Sequence, residues 1–142
     1  MARTPAYYEY YGSPFLLDTD PAGNWVGFRL NTETGEFEPD NRPVAEVLLA
    51  TSSGEISPLD REEFIWQTER ERGRLRGEGA VFALYETVDA IYARARAEGR
   101  RSIDDDELAL VRSIRRRTFK MWEDEAARRA AGEPPSFTVA RS

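Results

Sequence analysis

The sequence AVFALYETVDAIYARARAE occupies residues 80–98 and decides the fold of the second half of the chain. Its apolar side chains recur at i, i+3, i+4 and i+7, the spacing that places them on one face of an α-helix. The apolar positions are Val81, Leu84, Tyr85, Val88, Ile91, Tyr92 and Ala95. Gly99 follows and suits a helix C-cap, so residues 80–98 are predicted to form a helix.

A second long helix is predicted over residues 103–131. Ser102 opens it, and the acidic residues 104–107 lie in its first turn, where the helix macrodipole favours negative charge. Gly132 and the two prolines that follow end it. About four residues separate it from the preceding helix, so the two are expected to be antiparallel neighbours. Its predicted inner face consists of Leu108, Val111, Ile114, Phe119, Trp122 and Ala126.

A shorter helix is predicted to begin at Ser57 and Pro58, a capping hydroxyl followed by a first-turn proline, and to continue through residues 61–72. Three glycines at 73, 77 and 79 then interrupt the helical pattern. The favoured interpretation is a break at which the chain reverses direction. The alternative is a loop that presents backbone N–H groups to a phosphate, but neither a Walker nor a dinucleotide-binding motif occurs in the chain.

The first part of the chain is predicted to be irregular and β-like. Residues 25–30 (WVGFRL) and 36–38 (EFE) favour the two strands of a hairpin, with Gly35 in the connecting turn. Residues 43–51 favour a short helix, with a strand as the alternative. The fold class predicted is α+β, in which a small N-terminal β-hairpin or irregular layer packs on two or three antiparallel helices.

The chain is predicted to be a single domain over residues 1–135. Within it, residues 1–56 form the acidic, aromatic and β or irregular part, and residues 57–132 form the helical part. Residues 133–142 are expected to be a flexible tail. At 142 residues and 40% hydrophobic content, the chain is long enough to bury one core.

The composition excludes several functional classes. The chain has no cysteine and no histidine, which removes disulfides, thiolate catalysis, the Ser-His-Asp system and imidazole ligands. The apolar runs are far shorter than the roughly 20 residues of a membrane span, and no signal peptide is recognised. A cytoplasmic location is therefore expected. Nineteen of the 20 basic residues are Arg, which is typical of a GC-rich genome.

The acidic character belongs to the first sixty residues. The formal net charge of the whole chain is -6, whereas residues 1–60 carry -7 and residues 61–142 carry +1. Four tyrosines lie in the acidic part within five positions of one another. Tyrosine has an apolar body and a polar tip, and it is enriched among interface anchors. The predicted partner-binding residues are Tyr7, Tyr8, Tyr10, Tyr11, Trp25 and Phe28.

The leading hypothesis is therefore a non-enzymatic, protein-binding accessory domain of the inhibitor, immunity or assembly-factor type. Its partner would be a basic protein or a second copy of the chain. The compatible alternative is that the tyrosine segment folds back over the helices as a half-buried cover.

A second hypothesis is a nucleic-acid-binding or phosphate-binding helical module. Arg112, Arg116 and Lys120 share one face of the last predicted helix by i, i+4 spacing, and such a row could bind phosphates. Acidic runs at 104–107 and 123–125 flank the row, so a solvated helix face is the favoured interpretation. Nucleic acid is not expected as a partner.

Enzymatic chemistry and metal binding are the least favoured hypotheses. Asp18, Asp20 and Gly23 resemble the start of a calcium loop, but Ala22 and Arg29 occupy positions that need oxygen ligands. The carboxylate pair Glu62/Glu63 and the run 104–107 lie at predicted helix starts, where capping explains them. No metal, no cofactor and no catalytic residue are predicted.

Overall fold

A computed structural model describes residues 5–49 and 54–140 and shows a mixed α+β chain, 47% helix and 22% strand. The chain divides into two compact units, unit 1 (Met1–Thr68) and unit 2 (Glu69–Ser142). In chain order, the elements are β1 (Ala6–Tyr10), β2 (Ser13–Thr19), β3 (Trp25–Leu30), β4 (Phe37–Pro39), α1 (Val44–Leu49), β5 (Ile56–Leu59), α2 (Arg61–Arg72), β6 (Gly77–Glu78), α3 (Ala80–Ala97), α4 (Asp105–Ala130) and β7 (Thr138–Val139). The boundary between the units falls within α2.

Unit 1 is built on a five-stranded antiparallel sheet with the strand order β4-β3-β2-β1-β5. One face of the sheet carries a buried cluster that α1 covers with Val47. The other members of the cluster are Phe15, Leu17 and Ile56, with Ala6, Tyr8, Tyr10 and Val44 packed against it. This cluster therefore forms a core between the sheet and α1, and the buried Phe64 of α2 packs on Tyr7 at the opposite face of the sheet.

The predicted hairpin is confirmed, because β3 and β4 pair with Phe28 opposite Pro39 and Leu30 opposite Phe37. The sheet is larger than the predicted two-stranded or three-stranded layer, since β1, β2 and β5 extend it. The short helix favoured for residues 43–51 is also confirmed as α1, and residues 50 and 51 lie outside the described part.

The predicted start of the 57–72 helix is wrong. Ser57 and Pro58 belong to β5, which is an edge strand of the sheet. A proline is tolerated in an edge strand, because on the outer side no neighbouring strand requires a hydrogen bond from its backbone nitrogen. The helix begins at Arg61, after Asp60. The Asp60 carboxylate accepts from the Glu63 N–H at 2.8 Å, and Glu63 accepts from the Asp60 N–H at 3.1 Å. These reciprocal bonds form a capping box.

Unit 2 contains α3, α4 and a two-stranded sheet formed by β6 and β7. Its buried cluster takes residues from both helices and from the segment after α4, namely Val81, Phe82, Tyr85, Trp122 and Phe137. The Trp122 indole N–H donates to the Tyr85 hydroxyl at 2.7 Å. This contact places the start of α3 next to the end of α4.

The buried face of α4 differs from the predicted one at two positions. Ala126 is exposed, while its neighbour Glu125 is buried. Leu108 is only half-buried. Glu125 accepts hydrogen bonds from the backbone N–H of Ser136 at 3.0 Å and from its hydroxyl at 2.8 Å, and these bonds offset its desolvation. The other four predicted positions are buried: Val111, Ile114, Phe119 and Trp122.

The segment expected to be a flexible tail contains a buried aromatic residue and a strand. Phe137 is 5% exposed, and its ring centroid lies 4.8 Å from that of Trp122. Thr138 and Val139 pair with β6. A single aromatic residue in a polar run has no periodicity from which this contact could be predicted. Residues 141 and 142 lie outside the described part of the chain.

The first turn of α4 is stabilised by a capping box and an ion pair. Asp104 accepts from the Glu107 N–H at 2.8 Å, and Glu107 accepts from the Asp104 N–H at 3.0 Å. The Arg100 guanidinium also donates to Glu107, at 2.6 Å. The bond from Arg100, followed by that from Asp104, lowers the pKa of Glu107 to about 2 from an ordinary value of 4.5.

Because the folded state holds this pKa below its unfolded value, Glu107 stabilises the fold above about pH 4.5 and loses that effect as the pH falls towards 2. We expect Glu107→Gln to make the acid-induced fall in the free energy of unfolding shallower across this range. Urea unfolding at a series of pH values measures it. Glu86→Gln, at an exposed position of α3, is the control and should leave the slope unchanged. An equal slope in wild type and Glu107→Gln would contradict the prediction.

None of the helices in the described part of the chain is long and apolar enough to cross a membrane.

Candidate functional site

The tyrosines of β1 are divided between the two faces of the unit 1 sheet, because successive side chains of a strand point to opposite sides. Tyr8 and Tyr10 pack against the buried cluster that contains Phe15. Tyr7 lies on the opposite face, where its ring centroid is 4.5 Å from that of Phe64 and its hydroxyl accepts from Arg61 at 3.0 Å. All three are half-buried, so they are partly structural residues.

The two residues of the predicted site that are not tyrosines are divided in the same way. Phe28 pairs with Leu16, which pairs with Tyr7, so Phe28 lies on the face of Tyr7. Trp25 pairs with Thr19, two residues after Leu17, and therefore lies on the face of the buried cluster. The structure does not bring all six predicted residues to one surface.

Tyr11 is the member of the predicted set with the greatest exposure, at 56%. It occupies a two-residue turn between β1 and β2 with a φ of 47°, and Gly12 follows with a φ of 79°. Hairpin turns of this kind favour Asn and Gly, since a bulky side chain at positive φ is strained by about 1–2 kcal/mol. The turn therefore keeps a tyrosine where asparagine would fit with less strain.

Glu46 connects α1 to Tyr11 of this turn and to the preceding residue, Tyr10. Its carboxylate accepts from the Tyr11 hydroxyl at 3.1 Å and from the Tyr10 hydroxyl at 3.3 Å. The bond to Glu46 raises the pKa of Tyr11, and burial followed by Glu46 raises that of Tyr10, so both hydroxyls stay neutral donors. The two rings meet edge to face at 4.7 Å.

Two exposed leucines follow Glu46 on α1. Leu49 lies one helical turn after Glu46 and is 83% exposed, and Leu48 is 44% exposed. Glu55 is adjacent, because its backbone carbonyl accepts from the Tyr11 N–H at 2.7 Å. We call the set Tyr11, Glu46, Leu48 and Leu49 the α1 surface. It combines exposed apolar side chains with nearby carboxylates, which suits a partner with the opposite charge.

Unit 2 contains a buried polar network that the sequence does not reveal. Glu69, 1% exposed, accepts from Arg72 at 2.9 Å and from the Tyr85 hydroxyl at 2.7 Å. The Arg72 guanidinium lies 4.5 Å above the centre of the Trp122 ring, a cation–π contact. Burial, followed by the charge of Glu69, raises the pKa of Tyr85 far above its usual range, so its hydroxyl keeps the proton that it donates.

A cavity of about 200 Å³ opens next to this network. Arg115 of α4 lines it and is 9% exposed, whereas Arg70 and Arg74 line it from exposed positions. The remaining lining residues are Glu69, Gly73, Tyr85, Val88 and Asp89. Gly73 belongs to the glycine-rich break predicted from the sequence, and no sequence pattern relates it to Arg115, 42 positions later.

The predicted phosphate-binding row lies elsewhere on α4. Arg112, Arg116 and Lys120 are all exposed, so the i, i+4 row is on the surface as its spacing requires. Lys120 is engaged by Asp124 through a hydrogen-bonded ion pair. Both side chains are more than half exposed, so this surface pair contributes only about 0–1 kcal/mol.

Backbone N–H groups donate hydrogen bonds to carboxylates that were considered for catalysis and metal binding. Glu63 and Glu107 each complete a capping box. Asp20 accepts from the N–H groups of Ala22 and Asn24, each at 2.9 Å, which closes the turn between β2 and β3. Within residues 5–49 and 54–140, no three acidic side chains are grouped as metal ligands.

The described chain thus has two places with distinct chemistry. The α1 surface offers apolar contacts beside carboxylates, and the unit 2 cavity offers several guanidinium groups. No protein-family model matches the chain, and no curated protein or solved structure matches it at a significant level.

Proposed function

We propose that this chain is a non-enzymatic accessory domain that binds a basic partner protein through the α1 surface. The observation that carries the proposal is Tyr11, a strained and largely exposed tyrosine whose hydroxyl donates to Glu46, one helical turn before the exposed Leu49. Strained backbone persists only where the surrounding structure enforces it, and it clusters at functional sites. Isolated apolar residues on a surface are common, but here they lie together beside Glu46.

Charge decides which partner the proposal favours. Residues 1–60 carry a net charge of -7, and Glu46 and Glu55 lie beside Tyr11. A second copy of this face would bring like charges together, whereas a basic protein would be attracted and would bind faster at low salt. Aromatic anchors surrounded by charge match the general pattern of interface hot spots.

The other predicted residues keep a smaller role in the proposal. Tyr8 and Tyr10 support the α1 surface from the buried cluster beneath it, and Trp25, 38% exposed, is a further contact residue on that sheet face. Tyr7 and Phe28 belong to the opposite face. The proposal includes a cytoplasmic location and leaves the inhibitor, immunity and assembly-factor types as its possible forms.

The double variant Tyr11→Asn/Leu49→Ser tests this function. Asparagine suits positive φ, so the variant should fold at least as stably as the wild type while its partner binding weakens by about tenfold or more. Tagged protein is crosslinked in an extract of the source cells, and the crosslinked peptides are mapped by mass spectrometry. We expect a basic protein crosslinked around the α1 surface.

Leu110→Ser is the matched control, because Leu110 is a half-exposed leucine on α4 and should leave the crosslinks unchanged. Equal crosslinking by the double variant and the control would refute the proposal. A concentration-dependent dimer by light scattering that the double variant abolishes would also refute it, because the occupant would then be a second copy.

A further inference from the structure

We infer that the cavity of unit 2 binds a small tetrahedral dianion, such as inorganic phosphate or the phosphoryl group of a small metabolite. The site is formed by Arg70 and Arg74 at the end of α2 and by Arg115 on α4. It is separate from the α1 surface and does not depend on the proposed partner binding.

The charge of the cavity wall favours an anion. Three guanidinium groups and two carboxylates line it. Both carboxylates are bound by cations that are not part of the lining, because Glu69 pairs with Arg72 at 2.9 Å and Asp89 pairs with Arg76. The cavity wall therefore holds more guanidinium groups than carboxylates, and each of its two carboxylates also has a cation outside the lining.

The burial of Arg115 strengthens its attraction for an anion. Its side chain is buried, and a charge in low dielectric attracts an opposite charge more strongly than the same charge in water does. Guanidinium groups match the oxygen atoms of phosphate and carboxylate with two parallel hydrogen bonds. An anion that enters the cavity thus meets one buried guanidinium and two exposed ones.

The exposed guanidinium groups can turn to an anion at a small cost in free energy. Arg74 pairs with Glu71 at 3.3 Å, but its side chain is 74% exposed, and such surface pairs contribute only about 0–1 kcal/mol. The carbonyl groups at the end of α2 would oppose an anion through the helix dipole. This effect is reduced, because the carbonyls of Glu69, Glu71 and Arg72 already accept from the backbone N–H groups of residues 73–75 at 2.8, 3.2 and 3.0 Å.

The size of the cavity limits the ligand. Pockets for drug-sized molecules are commonly about 300–1,000 Å³, and this one is about 200 Å³. It therefore suits an ion of a few atoms, or one charged group of a larger molecule whose remainder extends past Arg70 and Arg74. A nucleic-acid backbone requires a continuous open track of cations instead.

Calorimetric titration of the full chain with sodium phosphate, and separately with sodium sulfate, tests the site. Sodium chloride keeps the ionic strength constant. We expect saturable binding of both dianions at one site, and binding about tenfold weaker or worse in Arg115→Gln. The double variant Arg70→Gln/Arg74→Gln alters exposed side chains only and should weaken binding similarly if Arg115→Gln fails to fold.

Arg112→Gln/Arg116→Gln is the matched control, since it removes two exposed guanidinium groups from α4 outside the cavity. It should bind both dianions within about twofold of the wild type. The inference is overturned if neither dianion binds saturably, if the control loses as much affinity as Arg70→Gln/Arg74→Gln, or if a small dicarboxylate such as succinate binds more tightly than phosphate.

Discussion

Phe137→Ala is expected to lower the free energy of unfolding by about 3–5 kcal/mol, the usual effect of removing a buried aromatic side chain. The ring is 5% exposed and meets two other rings edge to face. Its centroid is 4.8 Å from that of Trp122 and 5.8 Å from that of Phe82. Alanine at this position would leave a cavity in the cluster of unit 2. Urea unfolding followed by circular dichroism measures the loss.

Thr138→Ala is the control for Phe137→Ala, because Thr138 is the next residue and its side chain is exposed. It should change the free energy of unfolding by no more than about 0.5 kcal/mol. The same small change in Phe137→Ala would mean that residues 133–142 behave as the flexible tail expected from their composition.

Glu69→Ala is expected to lower the free energy of unfolding by about 3–5 kcal/mol, because it leaves the buried Arg72 without its carboxylate partner. Tyr85 would also lose the acceptor of its hydroxyl proton, which lies at 2.7 Å. Removing one partner of a buried pair is more damaging than removing both, since the remaining charge stays desolvated. Urea unfolding of the single variant measures the effect.

Two further variants separate the buried charge from general disruption of α2. Glu71→Ala removes a carboxylate two positions away, whose partner Arg74 is largely exposed, and should lower stability by at most about 1 kcal/mol. Glu69→Leu/Arg72→Met replaces both charges by apolar groups and should recover most of the stability that Glu69→Ala loses. If Glu69→Ala and Glu71→Ala are equally stable, the buried network does not stabilise the fold.

Elements with a periodic pattern could be predicted from the sequence. The stripe from Val81 to Ala95 defines α3, and the hairpin of β3 and β4 follows from short aromatic segments around a glycine turn. The start of a helix is harder to locate from the sequence than its buried face, because Ser57 and Pro58 suit a helix N-terminus as well as an edge strand. The packing of the N-terminal layer on the helices stays a prediction.

The sites could be predicted only in part, because they depend on contacts between distant residues. Tyrosine composition points equally to all four tyrosines at positions 7–11, and only the strand register shows that Tyr7 and Tyr8 lie on opposite faces. Glu69 has the sequence context of a solvated helix residue, and its burial depends on Tyr85, 16 positions later. Helical spacing correctly places Arg112 and Arg116 on the surface, yet it gives no indication that Arg115 between them is buried.

The position of Phe137 has a consequence for folding during synthesis. Every residue of unit 1 leaves the ribosome before α3 and α4 do, so its sheet can assemble early. The aromatic cluster of unit 2 is different, because α3 contributes Val81 and Phe82 more than fifty positions before the chain supplies Phe137. Such long-range closure is slow. Nascent unit 2 therefore exposes apolar surface until this last ring emerges, a period in which chaperones would be expected to bind it.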